Sequence, residues 1–517
     1  MYGVVRMPEK TLRKLNTYIQ PQWKVCFFAA IIVGLFAHFY KITNWLPNWD
    51  SLVFRYDSQN MIALGRWFLP VVCSFSSFYD LPFFNGIVTI VFHALSAVCI
   101  CKILNVQKNV TAFIIGAVIV SFPTVTSVLM YNYVADGYSV AFLLSTVAAM
   151  CLTKEKPRYV LSAILIALSA GIYQAYITVT VMLVMIDLID KVIYHNMSTK
   201  DIFKRGISIF LSGLAGMILY YIILKILLVI FQAGLLDYQG LSSSLTLSNI
   251  DLAGSLYIIK ETFVNCFFQF SDGLNVFIFI NIVIFIFTLL HYIKYIFINK
   301  IYKTPIKFLV LIAMGFMLLI GAGILAFINA QIDYHNLMLM GYSVFYLFFI
   351  ILYERGEECS CIKSWTILII SVALIFNQVI ISNVSYHKAQ MAYERSYGVL
   401  IRITDRIEQI PNSDKCEKIM VVGALENSKE YSANLPPDIT GITDGYIIRA
   451  DDETVSQSVL CSALNDYCGK NYKFLSGDNK KALMKNREVV DMPIWPAKDS
   501  IKVVDNTIVI KLGVESE

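Results

Sequence analysis

The chain has 517 residues, of which 57% are apolar and only 15% are charged, compared with about 25% charged residues in an average soluble domain. Its formal charge of +5 comes from 42 Lys and Arg against 37 Asp and Glu, an excess too mild to indicate a nucleic-acid partner. Several apolar runs reach the roughly 20 residues that a helix needs to cross ~30 Å of hydrocarbon. These features exclude a soluble enzyme, a small disulfide-rich secreted domain and a disordered chain, and they predict a polytopic membrane protein with a polar tail.

The apolar runs predict an all-α membrane domain of eleven transmembrane helices at residues 24–382. The fifth and sixth runs form one block around Gly171–Tyr176, which could be two short helices meeting at a turn or one long tilted helix. The predicted spans are 24–42, 82–101, 110–124, 137–152, 159–172, 174–190, 206–231, 274–293, 308–328, 337–353 and 364–382.

Lys and Arg residues are distributed unevenly between the connections of these spans. The N-terminal segment 1–23, the start of the first span and every second connection together carry 20 of them, whereas the alternate connections carry only Arg55, Arg66 and Lys260. Because basic residues accumulate on the cytoplasmic side, we expect a cytoplasmic N-terminus. An odd number of spans then places the tail outside. The alternation of connections that are rich and poor in Lys and Arg also favours two helices in the ambiguous block. The predicted outer loops are 43–81, 125–136, 232–273 and 329–336.

Residues 383–517 form a polar tail that we expect to fold as a small α/β domain outside the membrane. It begins with an amphipathic helical pattern near 385–410, and a further helical stretch lies near 455–466. Strand-like apolar runs occur at 419–422 and 508–510, which is typical of a small mixed domain.

Eleven cysteines are present, and those in the membrane part are expected to serve as small apolar core residues. Cys416, Cys461 and Cys468 lie in the tail, which is in an oxidising compartment if the predicted topology holds. Cys461 and Cys468 could therefore close a short disulfide loop.

Motifs for soluble cofactors do not occur in the sequence. It contains no Walker loop, dinucleotide fingerprint, zinc spacing or nucleophile elbow, so we expect no cofactor. Outer Asp residues could ligate Mg²⁺ without a recognisable spacing, although no pattern supports a metal. Ionisable residues near the outer boundary are then the best indication of a site, because they are costly to place there.

The first outer loop contains the densest group of such residues. Asp50 and Asp57 are seven positions apart, so they would share one face if segment 51–64 is an amphipathic helix lying in the interface. A partly desolvated carboxylate can act as a general base, and Arg55 or Arg66 could bind a phosphate through a planar guanidinium. Alternatively, these charges are solvated, and Trp49 and Trp67 are ordinary interfacial aromatics.

Two further outer segments carry candidate sugar-binding residues. Asp136 stands almost inside the membrane in the 131–138 segment, where it could cap a helix, bind a sugar hydroxyl or act as the base. Tyr173 and Gln174 interrupt the fifth–sixth block, where an amide and an aromatic ring suit a polyol, although the segment taken alone favours a simple turn between helices with interfacial tyrosines.

Asp333 and His335 form the one Asp–His pair in the outer loops of the sequence. Such a pair could stabilise a phosphate leaving group or merely cap a helix. Lys225 and Lys41 near the outer ends of their spans could bind a lipid phosphate, but snorkelling is the simpler reading. His93, in mid-span, is expected to form a hydrogen bond between helices.

Three short motifs together resemble the GtrII-type glucosyltransferases, the serotype-converting enzymes that decorate bacterial O-antigen. They are Asn48-Trp-Asp50, Gly65-Arg66-Trp67 and the Gly171-Ile-Tyr173-Gln174-Ala-Tyr176 block. The tail segments at 492–501 and 508–512 are also similar to the end of that family's chains. Many multi-pass lipid-sugar transferases show an acidic pair where this chain has a single acid at Asp50, so the base could be Asp50 or Asp57.

The resemblance implies a GT-C-like fold in the bacterial inner membrane with its site on the periplasmic face. The donor would be undecaprenyl-phosphate-glucose, supplied by a synthase and a small flippase, and the acceptor would be a sugar of the lipid-linked O-antigen. Asp50 or Asp57 would deprotonate the acceptor. We expect an inverting single displacement, because no pair of a nucleophile and a base is evident in the sequence. The groups implied to balance the charge on the leaving phosphate are Arg66, Arg55, Lys225 and His335.

Other membrane functions remain as alternatives. A transporter or flippase of a lipid-linked sugar would typically show repeated halves and polar residues near the bilayer midplane, and neither is visible here. An O-antigen polymerase or ligase typically has a large outer loop, whereas the largest extramembrane piece here is the tail. A non-enzymatic scaffold would leave the charges of the first loop unexplained.

Overall fold

A computed structural model describes residues 17–54, 61–236, 251–268, 276–327, 332, 334–355, 361–425 and 453–514. Most of these residues are helical. The helices up to residue 194 are α1 (Pro21–Thr43), α2 (Trp49–Phe54), α3 (Leu69–Cys73), α4 (Pro82–Ile103), α5 (Asn109–Ser121), α6 (Pro123–Met130), α7 (Asn132–Thr153), α8 (Tyr159–Ile172) and α9 (Ile177–Tyr194). They are followed by α10 (Thr199–Ile230), α11 (Leu252–Phe268), α12 (Val276–Ile298), α13 (Pro305–Ala322), α14 (Val344–Glu354) and α15 (Cys361–Glu408).

Within the described residues, eight helices are long and apolar enough to cross a membrane, or nine if the bent pair α5–α6 counts as one span. The chain is therefore a polytopic helical membrane protein. The predicted fifth and sixth spans correspond to α8 and α9. α8 has 14 residues, about 21 Å of helix, and α9 carries Asp187, Asp190 and Lys191 near its end. Eleven crossings and the orientation of the termini stay predictions.

Two of the predicted apolar runs are interrupted. The predicted span 110–124 bends by 40° between α5 and α6, because Pro123 cannot donate a backbone hydrogen bond to continue α5. The ambiguous apolar block is two helices, with Tyr173 in an extended conformation followed by a 3-10 turn at Gln174–Tyr176. The two-helix alternative is thus the one that the structure adopts, and the break brings Tyr173 and Gln174 to the end of the bundle.

Two predicted loops contain helix. Segment 131–138 starts α7 instead of forming a loop, with Tyr131 as the N-cap residue. The predicted loop 232–273 contains α11, which packs beside α12 and α13. The predicted amphipathic helix 51–64 does not reach its predicted end, since 61–65 form a turn. Its start coincides with α2, and residues 55–60 lie outside the described residues. Apolar composition alone did not distinguish these helical segments from polar connections.

The end of the bundle opposite the start of α7 is held together by buried charges. Asp190 accepts two hydrogen bonds from the Arg355 guanidinium, at 2.9 Å from Nε and 2.8 Å from Nη2, and Arg355 also donates to the Leu104 carbonyl. Arg205 donates to the carbonyls of Leu152 and Lys154 at the end of α7. We call this region the Arg355 end.

We expect Arg355→Ala to lower the free energy of unfolding by about 3–5 kcal/mol, because it leaves the buried Asp190 carboxylate without its main partner. Thermal unfolding of the purified chain in detergent measures the change. Lys260→Ala is the control, since Lys260 forms an ion pair with Glu261 but is 69% exposed, and such pairs contribute about 0–1 kcal/mol. Equal stability of the two variants would show that the Arg355 pair does not stabilise the bundle.

α15 is a single helix of 48 residues, about 72 Å long. Its first part packs in the bundle, where His38 lies 2.9 Å from the Tyr386 hydroxyl and Ser121 donates to Gln378 at 2.8 Å. The helix then continues without a break into the tail. The domain boundary predicted at residue 383 therefore falls inside a continuous helix.

The elements in the described part of the tail are β1 (Lys418–Val422), α16 (Glu453–Cys468), β2 (Lys473–Phe474), α17 (Gly477–Met484), α18 (Arg487–Val490), β3 (Ile501–Val504) and β4 (Thr507–Lys511). The four strands form one sheet with the order β2-β1-β4-β3. β1 is parallel to β2 and β4, and β3 is antiparallel to β4. α16 packs against β1 and α15.

The possible disulfide between Cys461 and Cys468 does not form. Both thiols are free, and they lie on one helix, α16, seven residues and about 10 Å apart along its axis, which is beyond the usual disulfide span of under about 7 Å between Cα atoms. Burial also raises the pKa of the Cys461 thiol to about 11, which makes it a poor thiolate.

Candidate active site

Two separate parts of the sequence meet at the end of the bundle where α7 begins. The backbone N–H of Phe68 donates to the Gly171 carbonyl at 2.7 Å, and the Trp67 ring lies directly against Gly171. Trp67 is only 8% exposed, so it is not an interfacial aromatic. The Gly-Arg-Trp triplet is therefore docked on the Tyr-Gln turn, and we call this region the Arg66 end.

The turn before Arg66 depends on Gly65. Its φ of 75° lies in the left-handed region, which glycine adopts without the steric cost of a side chain. The turn is closed by hydrogen bonds from the Gly65 N–H to Ile62 and from the Arg66 N–H to Met61. This reversal directs the chain back towards α7 and α8.

The Arg66 side chain is held between two tyrosines. Its Nη1 donates to the Tyr138 hydroxyl at 3.3 Å, and its guanidinium carbon lies 4.9 Å from the centre of the Tyr173 ring. The rings of Tyr138 and Tyr173 are themselves stacked at 4.9 Å. A guanidinium fixed in this way keeps a defined orientation, which suits a phosphate oxygen better than a mobile lysine would.

The Gln174 side chain forms hydrogen bonds that stabilise the turn. Its Nε2 donates to the Tyr220 hydroxyl at 2.9 Å and to the Leu64 carbonyl at 3.4 Å, and Tyr220 donates to the Gly65 carbonyl at 3.0 Å. Tyr220, from α10, was not a sequence candidate, because nothing in an apolar helix marks one tyrosine as a partner of a distant turn.

Asp50 lies in the first turn of α2 and is 8% exposed. Its backbone N–H donates to the Asn48 side-chain oxygen at 2.8 Å, which fixes the start of the helix. The charges of both Asp50 and Arg66 act on the Tyr133 phenol near the start of α7, so both groups lie at this end of the bundle.

Asp136 occupies the second turn of α7 and is 5% exposed. Its Oδ1 accepts hydrogen bonds from the Gly137 N–H at 2.9 Å and the Cys73 thiol at 3.5 Å. The helix-cap alternative is wrong because Tyr131, five residues earlier, is the N-cap. A sugar-binding or basic role for Asp136 stays a prediction.

A second polar group at this end was largely missed by sequence reasoning. Lys41 is 1% exposed and donates to the Leu46 carbonyl, so it does not snorkel, and its charge interacts with Asp80. Asp80 accepts from the Asn132 amide at 2.7 Å. Asp80, near the end of the first outer loop, and Asn132, the first residue of α7, are thus joined.

Other candidates lie elsewhere or outside the described residues. Lys225 is exposed on α10, with its ammonium 5.4 Å from the Tyr221 ring, on a different face from Tyr220. His335 precedes the 3-10 segment Asn336–Ser343. His93 lies within the bundle beside the Phe142 ring of α7. Its hydrogen bond goes to the Thr89 carbonyl of its own helix at 2.8 Å, so the predicted hydrogen bond between helices is wrong. Arg55, Asp57 and Asp333 lie outside the described residues.

The comparison with protein families agrees with this geometry. The sequence model of the family described as glucosyl transferase GtrII matches residues 39–353, which is more than half of the chain. The chain belongs to the GtrII glucosyltransferase family. The resemblance seen in the short motifs is thereby confirmed. No curated protein and no solved structure matches the chain.

The GtrII match covers α2, the Arg66 turn and the Tyr173–Gln174 break, but it ends before α15 and the tail. Asp50, Asp80 and Asp136 are carboxylates at the Arg66 end that the structure describes. Across the described ranges, no three His, Cys, Asp or Glu side chains lie close enough together to hold a metal ion. Since Asp57 and Asp333 lie outside those ranges, metal independence stays a prediction.

We expect Gly171→Ala to reduce glucosyl transfer by the GtrII chain at least tenfold. The added Cβ would lie 2.6 Å from Cε2 of Trp67, so the ring and the adjoining Arg66 must shift, and overpacking of this kind typically costs about 1–3 kcal/mol. Transfer rates in isolated membranes, normalised to the amount of chain, measure the effect. Gly213→Ala is the control, because nothing lies within 4 Å of a Cβ there. Normal transfer by Gly171→Ala would show that Trp67 does not set the position of Arg66.

Proposed function

We propose that the chain transfers glucose from undecaprenyl-phosphate-glucose to a sugar of lipid-linked O-antigen, on the periplasmic face of the bacterial inner membrane. The reaction modifies the O-antigen and changes its serotype. Family membership supports the glucosyl transfer. The lipid donor, the acceptor and the side of the membrane are the parts that this proposal adds.

One observation carries the proposal: Arg66 is held by Tyr138 and Tyr173 at the same end of the bundle as Asp50 and Asp136. Glucosyl transfer from a lipid phosphate needs a base for the acceptor and a cation for the leaving group. A buried carboxylate and a fixed guanidinium at the end of a lipid-exposed bundle are suited to both tasks.

In this mechanism Asp50 or Asp57 takes the proton of the acceptor hydroxyl as its oxygen attacks the anomeric carbon of glucose. The bond from that carbon to the phosphate oxygen breaks, and undecaprenyl phosphate leaves with the electron pair. Arg66 balances the charge that develops on the phosphate, with Arg55, Lys225 and His335 as further candidates. A single displacement inverts the anomeric configuration, and Asp136, Tyr173, Gln174 and Asp333 are candidates for holding the sugars.

The distribution of basic residues supports the periplasmic side. The Arg355 end lies beside the connections that are rich in Lys and Arg, and the Arg66 end beside those that are poor in them. A donor made in the cytoplasm must then be moved across the membrane, so the proposed partners are a donor synthase and a small flippase. No nucleic acid or soluble cofactor takes part in the proposed reaction.

Mass spectrometry of O-antigen tests the function directly. Cells that make the donor are compared with and without the chain, and with the Arg66→Ala variant present at equal abundance. We expect one added hexose per modified repeat with the natural chain and none with the variant. An unchanged mass despite donor supply would contradict transferase activity and favour the transporter or scaffold alternatives.

Thiol labelling tests the side of the membrane. Ser77 and Glu155 are exposed near opposite ends of the bundle, so each is replaced by Cys in a chain without the exposed Cys361. A membrane-impermeant maleimide should label Ser77→Cys in intact spheroplasts, and Glu155→Cys only after lysis. The reverse pattern would place the Arg66 end in the cytoplasm and overturn the proposed donor.

A further inference from the structure

The tail contacts the short helix that carries Asp50. α16 packs against α2, and the ring centres of Tyr467 in α16 and Trp45 before α2 are 5.3 Å apart. The family match ends at residue 353 and assigns no role to the tail. Family membership therefore does not explain the contact between α16 and α2.

The described part of α2 is too short to hold its own position. It comprises six residues, whereas an isolated helix needs about 12–15 residues for even marginal stability in water, and the preceding residues 45–48 have no regular structure. Even so, Asn48, Ser51 and Leu52 are all at most 3% exposed. The orientation of Asp50 therefore depends on the elements that cover this segment.

α16 is itself fixed to α15, and through α15 to the bundle. The Tyr467 ring lies 6.2 Å from Tyr397 of α15, the Thr404 hydroxyl donates to the Cys468 sulfur at 3.1 Å, and Lys470 is paired with Glu408. A chain of contacts thus runs from the bundle along α15, through α16, and back to Trp45 beside the candidate base.

We propose that Tyr467 is a positioning residue: through its contact with Trp45 it holds α2 so that the Asp50 carboxylate meets the acceptor hydroxyl. The proposal rests on the proposed function, because it assigns Asp50 to the acceptor. The tail is then a part of the catalytic unit and not an independent sugar-binding domain. A misplacement of about 1 Å in a reacting group can cost about 100-fold in rate, so the effect falls on the chemical step.

The test uses the purified full chain, radiolabelled polyprenyl-phosphate-glucose as donor, and lipid-linked O-antigen from cells lacking the chain as acceptor. We expect Tyr467→Ala to lower kcat at least about tenfold while KM for the donor changes less than about twofold, as for loss of an interaction that matters in the transition state. Tyr467→Phe, which keeps the ring, should restore kcat. Trp45→Ala should resemble Tyr467→Ala, and the double variant should be no slower than the slower single variant, because both remove one contact.

Arg406→Ala is the matched control, since it loosens the tail from α15 at another place. Arg406 donates to the carbonyls of Pro496 and Ala497, both at 2.9 Å, and does not contact Trp45 or Tyr467 in the part of the chain described. We expect kcat to stay unchanged. An equal loss in Arg406→Ala, or an undiminished kcat in Tyr467→Ala, would overturn the inference.

The two proposals fail in distinguishable ways. If the natural chain transfers no glucose in this assay, the proposed function fails. If the natural chain is active and Asp50→Asn is inactive, but Tyr467→Ala works at the full rate, then the function stands and only the positioning role of Tyr467 is wrong.

Discussion

Asp50→Asn is expected to reduce glucosyl transfer by about 10²- to 10⁴-fold, the range lost when a general base is removed. The substitution keeps the size of the side chain and leaves intact the hydrogen bond from the residue-50 backbone to Asn48. α2 should therefore keep its place beneath α16. The measurement is the initial rate of hexose transfer in membranes, normalised to chain abundance by immunoblot.

Two matched variants decide which acid acts as the base. Asp57→Asn tests the other acid of the first loop, and Asp136→Asn tests the buried acid of α7. A full rate in Asp50→Asn with a loss in Asp57→Asn would identify Asp57 as the base. Full rates in both first-loop variants would remove that loop from proton transfer and leave Asp136 as the candidate.

Arg66→Lys should lower kcat by about 10²-fold or more, the cost of losing one group that stabilises developing charge. Lysine keeps the positive charge, but it lacks the planar group that lies over Tyr173 and reaches Tyr138. Because the leaving phosphate gains charge in the transition state, kcat should fall more than KM for the donor rises. Steady-state kinetics with varied donor concentration separate the two effects.

Tyr138→Phe provides the control for the Arg66 variants. It removes the 3.3 Å hydrogen bond from Arg66 but retains the ring that stacks on Tyr173, so we expect a loss of less than about tenfold, in line with the ~0.5–1.5 kcal/mol of a typical hydrogen bond. If Arg66→Lys transferred glucose as fast as Tyr138→Phe, the guanidinium would not be needed for the leaving group.

The sequence was sufficient for the helical membrane architecture, because spans such as α1, α4 and α7 are long apolar runs with charged ends. It was less informative where the chain bends inside an apolar region. The 40° bend follows from the missing backbone N–H of Pro123, and the helix α11 packs beside α12 and α13. A hydropathy pattern responds to neither feature. The predicted tail boundary at residue 383 falls inside α15, because polar residues continue this helix without a break.

The short sequence motifs indicated where the candidate site lies, but they did not indicate which partners its residues contact. Gly65-Arg66-Trp67 and Tyr173-Gln174 were singled out separately, and the structure brings them into contact. Sequence spacing could not reveal that Gln174 bonds Tyr220, or that Lys41 is buried near Asp80. These partners come from distant helices, and a single sequence carries no signal for such pairs.

The unbroken run of α15 imposes a rotational constraint on the whole molecule. Each residue of an α-helix turns the chain by about 100° and advances it by 1.5 Å. One residue inserted between Tyr386 and Tyr393 would swing everything beyond it about a quarter of a turn around the helix axis. The number of residues in α15 between the membrane domain and the tail must therefore stay constant. Residues on the surface of the tail far from α15 are not subject to this constraint.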